Sequence, residues 1–71
     1  MTLSELTDTI ERMRIDGGNF YGKLGEALAG ADPINRDRLL KAFPEIESRY
    51  GPNSINAIKD TAWAHARVLL N

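Results

Sequence analysis

One imidazole, ten carboxylates and no thiol are what this 71-residue chain offers to chemistry. Without Cys there is no disulfide scaffold, no thiolate zinc site and no thiol nucleophile. His65 is the single side chain with an ordinary pKa near neutrality. On a helix its neighbours one turn away are Thr61, Ala62, Val68 and Leu69, none of them a carboxylate or a second metal ligand. Asp60, five positions back, falls on another face. His65 therefore reads as a boundary residue at the edge of a core. Glu45 and Glu47 are two apart and diverge on a helix, so they form no acid/base pair. No nucleophile and no oxyanion loop accompanies them. The expectation is a protein that is not an enzyme, with no cofactor, no metal and no small-molecule substrate.

Gly17-Gly18-Asn19-Phe20-Tyr21-Gly22-Lys23-Leu24 comes within one residue of G-x-x-x-x-G-K-[ST]. Leu24 stands where a hydroxyl would hold magnesium, and a P-loop needs a strand before it. An amphipathic helical pattern precedes this one, so the glycines read as a helix stop. Basic residues come as Arg12 with Arg14 and Arg36 with Arg38, interleaved with Glu11, Asp16 and Asp37. Members of each pair point away from each other on a helix, which describes a mixed, solvated surface. The formal charge of −1 and pI near 5.7 argue against a strongly electrostatic nucleic-acid binder.

The aromatic residues are the most suggestive. Tyr21, Tyr50 and Trp63 sit at stripe edges, and Arg67 lies one turn from Trp63. Such residues are enriched at binding hot spots because they bury much area for few lost rotamers. Trp63, Arg67, Tyr21 and Tyr50 are accordingly the expected protein-binding set.

Helices must position all of these. Strand-like alternation of β-branched and aromatic residues is absent, and the 3.6-residue apolar period recurs. Thr2 and Glu5 have the spacing of a capping box for a helix over about 3–15, whose stripe is Leu3, Leu6, Ile10 and Met13. Asp8 and Arg12 fall at i, i+4 on its outer surface. Gly17 and Gly18 stop it, one of them left-handed. Asn19 caps a second helix over about 20–29, carrying Phe20, Leu24, Ala27 and Leu28 on its stripe. Gly22 and Gly25 lie inside it, three apart, where a neighbouring helix or a partner's backbone can come close. Asp32-Pro33 opens a third helix over about 33–43, with Leu39, Leu40 and Phe43 on its apolar side. Pro44 breaks or kinks the chain and starts a short fourth helix over 44–50, with Ile46 and Tyr50 inward and Gly51 at its end. Pro52-Asn53-Ser54 then caps a fifth helix over about 55–70, with stripe Ile55, Ile58, Ala62, Ala66 and Leu69.

The fold class expected is all-α: a compact single-domain bundle of four to five short helices over 1–71. No apolar run approaches a membrane span, and the N-terminus alternates apolar and charged residues, unlike a signal peptide. A cytoplasmic protein without membrane contact is expected. A chain this short buries only about 60% of its unfolded surface. Its core is therefore marginal and is well served by a partner. The leading functional expectation is a helical protein–protein interaction module. Small inhibitors and adaptors, of the kind mobile elements often encode, share this size and composition. Its partner is another protein or a second copy of itself. A helix-turn-helix DNA binder built from 44–50 and 55–70 is the alternative, with Asn53, Ser54, Asn56 and Lys59 as reading residues. An obligate homo-oligomeric structural subunit is the third reading.

Overall fold

A computed structural model describes residues 1–58. It contains α1 (Leu3–Asp16), α2 (Gly18–Gly30), α3 (Pro33–Ala42) and α4 (Glu45–Tyr50), and residues 55–58 are also helical. The described residues include no strand, so the fold is all-α. Among them, no helix is long and apolar enough to cross a membrane.

The capping box forms as its spacing predicts. The Glu5 N–H donates to Thr2 Oγ1 at 3.1 Å, and the Thr2 N–H donates to Glu5 Oε1 at 2.9 Å. The Thr2 backbone bond, with its hydroxyl partner second, holds the Glu5 carboxyl below the usual glutamate range. The buried side of α1 starts one turn later than expected. Leu6, Thr9 and Met13 are buried, whereas Leu3 is 72% exposed. Thr9 takes a core position because its hydroxyl donates to the Glu5 carbonyl at 2.7 Å, leaving no unmet polar group.

Gly18, at φ 69°, reverses the chain between α1 and α2 in a conformation that suits only a residue without a Cβ. Asn19 is not the cap it was expected to be. The helix already begins at Gly18, with Gly17 in the cap position and no side-chain bond there. α2 then lies close along α1. A Cβ at Gly25 would sit 3.1 Å from Met13 Cβ and 3.3 Å from the Ile10 carbonyl oxygen. The neighbour that the Gly22/Gly25 spacing anticipated is therefore α1, and Gly25 is buried against it. The expected α2 stripe holds at Leu28, while Phe20 and Ala27 turn outward.

α3 opens as predicted: Asp32 Oδ1 accepts from the Asn35 N–H at 2.8 Å, with Pro33 in the first turn. It contains no buried residue. Leu39, Leu40 and Phe43 only flank the core. Phe43 leaves the helix at φ −125°, ψ 72°, so α3 and α4 are separate helices rather than one kinked rod. Pro44 stands at the cap of α4, one residue before its expected place, and Gly51 ends the helix. Ile46 and Tyr50 join Met13 and Leu28 in the core cluster.

Two expected faces, one outward and one inward, fail for a positional reason. Arg12 does not stay on the outer face beside Asp8. Its Nε donates to the Tyr50 carbonyl at 2.7 Å, one of the free acceptors at the end of α4. Ile55 and Ile58 are exposed, and Ser54 and Ala57 turn inward instead. Ser54 caps this turn, accepting from the Ala57 N–H at 3.2 Å, which places 54 and 57 on the same side. Ala62, Ala66 and Leu69 lie outside the described residues.

Candidate functional site

The aromatic side chains of α2, the α3 end and α4 converge. Phe20 and Tyr21 pack edge to face with ring centroids 4.9 Å apart. Phe20 also meets Phe43 edge to face at 6.0 Å. Tyr21 leans on Tyr50 at 5.5 Å, and the Arg49 guanidinium lies over the Tyr21 ring at 5.5 Å from its centroid. Edge-on pairing is the favourable arrangement for such rings, and a guanidinium over a ring face adds electrostatic attraction.

Local geometry builds this cluster. A Cβ at Gly17 would stand 2.6 Å from Tyr21 Cβ, so the absent side chain is what allows Tyr21 to reach the end of α1. Consecutive residues on a helix are separated by about 100°, so Phe20 and Tyr21 cannot both face the core. Tyr21 is half-buried and Phe20 is 57% exposed. The Phe43 turn before Pro44 returns a third ring to the outer edge. The result is an aromatic face whose inner ring, Tyr50, is anchored in the core and whose outer ring, Phe20, is open.

Of the expected binding residues, Tyr21 and Tyr50 come together, but Tyr50 is 6% exposed and acts as the floor. Trp63 and Arg67 lie outside the described residues, as do His65 and Lys59. Phe20, Phe43 and Arg49 were not anticipated here. The Phe20-Tyr21 doublet is the sequence signal that locates the open ring.

The nucleic-acid set is arranged differently. Ser54 is buried and its hydroxyl donates to the Gly51 carbonyl at 2.6 Å. Asn56 Nδ2 donates to the Arg49 carbonyl at 2.7 Å. Both side chains shape the turn between α4 and the helical residues that follow, while Asn53 is exposed. The P-loop-like segment is helical from Gly18 onward, so its amides are not arrayed around an anion.

The carboxylates that make contacts serve structure. Glu5 and Asp32 cap helices, while Glu11 and Asp37 pair with Arg14 at 3.7 Å and Lys41 at 2.9 Å on the surface. Among the described residues, no group of three His, Cys, Asp or Glu side chains could hold a metal ion.

No protein-family model, curated protein or solved structure matches this chain.

Proposed function

We propose that this chain is a small non-enzymatic protein-binding module of the inhibitor or adaptor type, whose aromatic face at Phe20, Tyr21, Phe43 and Arg49 receives a partner protein. The observation that carries this reading is the open Phe20 ring, 57% exposed and held edge-on by two other aromatics. A large apolar ring fixed by its neighbours loses little freedom on binding and removes much area from water. Arg49, over the adjoining Tyr21 ring, adds a charge that orients a partner. Arginine and aromatic residues at the centre of a contact are the composition in which binding energy concentrates.

The test is capture from source-cell lysate by the tagged chain, with and without nuclease, comparing the native sequence with Phe20→Ala. Phe20 is exposed, so its loss leaves the helical circular dichroism intact. A stoichiometric protein held by the native chain and lost by the variant is the expected result. Capture that vanishes with nuclease, or that persists unchanged in Phe20→Ala, overturns the reading.

A further inference from the structure

A second surface lies at the opposite end of α2. Leu6, Ile10 and Leu28 form the floor of a groove of about 340 Å³ that runs between α1 and the turn into α3. Leu3 stands exposed at its lip, and Arg14 and Arg36 reach its rim. The charges there are unequal. Arg14 is paired with Glu11, which lines the same groove. Arg36 is half-buried, and its guanidinium makes no hydrogen bond or ion pair among the described residues. The neighbouring groove between α1 and α2 is different: Glu11 and Glu26 balance Arg14 and Lys23, so it selects no ligand charge.

We infer that the Leu3–Arg36 groove docks an acidic amphipathic segment of a partner protein, its apolar side chains on the floor and a carboxylate on Arg36. The volume suits one or two large apolar side chains. A wholly apolar occupant would cover the rim and strip water from a guanidinium that has no partner among the described residues, which is costly. A carboxylate removes that cost and matches the guanidinium with two parallel bonds. A basic segment meets one excess positive charge, since Arg14 and Arg36 face Glu11 alone. Nucleic acid fits less well. It would bring phosphates toward Glu11 and leave the apolar floor without a matching surface.

This site does not depend on the aromatic face, so the two can fail separately. The experiment is selection of a displayed random-peptide library against the whole 71-residue chain. Binding of the selected peptides is then measured to the native chain, Arg36→Gln, Arg36→Glu and Phe20→Ala. Enriched peptides should combine apolar residues at helical spacing with Asp or Glu. Their affinity should fall about tenfold with Arg36→Gln, the scale of one charge-assisted bond. Replacing the peptide's acid by Lys should restore binding to Arg36→Glu, and Phe20→Ala should leave it unchanged. Selection that enriches nothing, peptides without acidic bias, equal binding to Arg36→Gln, or displacement by a DNA duplex each overturns the proposal. Circular dichroism of the Arg36 variants confirms that the fold is intact.

Discussion

The α1–α2 pair and α3 are stabilised in different ways. α1 and α2 are in contact along their length, with Gly25 letting the backbones approach and Met13 fully buried between them. α3 buries no residue, and its apolar side chains only lean on the core cluster. It is secured mainly by its ends, with Asp32 and Pro33 at one and the Phe43-Pro44 break at the other. Packing therefore holds the first region and capping much of the second. Helices bound by few buried contacts open at lower free energy than the core. The Leu3–Arg36 groove, which α3 helps to form, sits on that more easily opened side.

The largest effect belongs to the packed region. Met13→Ala removes a fully buried side chain, and such truncations cost about 2–5 kcal/mol. In a domain of this size, the thermal midpoint should drop by about 10 °C or more. A change of a degree or two would mean that the α1–α2 interface is not where stability resides. A smaller, local loss is expected from Asp32→Ala, about 1 kcal/mol for a lost cap. Amide exchange should quicken across α3 while α1 stays protected. Equal acceleration in both would erase the distinction between the two regions.

The smallest effect sharpens the comparison at the start of α1. Glu5 has a lowered carboxyl pKa because it accepts the Thr2 N–H. A lowered folded value means its contribution is present above the unfolded pKa and is lost as pH falls through the folded one. The Thr2 amide resonance should therefore titrate with a midpoint below the ordinary glutamate value of about 4.3. A Thr2 midpoint at the ordinary value would remove the capping box from the account of α1.

Helix ends were the most legible part of the sequence. Thr2 with Glu5, Asp32 with Pro33, Ser54 and Gly51 all act locally, through bonds closing within three or four residues, so spacing alone locates them. The inward faces were legible only in part. Leu6, Met13, Leu28, Ile46 and Tyr50 are buried as their period predicts. Leu3, Phe20 and Ile55 fit the same period but are exposed, because no element among the described residues covers them. Thr9 is buried although it is polar, its hydroxyl being satisfied by the turn below. The candidate aromatic face was half visible. Tyr21 and Tyr50 stood out by type, whereas Phe43 and Arg49 became part of it only when three helices converged.

By itself, then, the sequence determined that the chain is helical and where most of its helices start and stop. These are consequences of short-range bonding and backbone sterics. Tertiary structure decided which side of each helix finds cover, that Arg12 crosses to the end of α4, and that Phe20 opens while Tyr50 closes. Burial depends on what the rest of the chain places opposite a residue, and helical period cannot encode that.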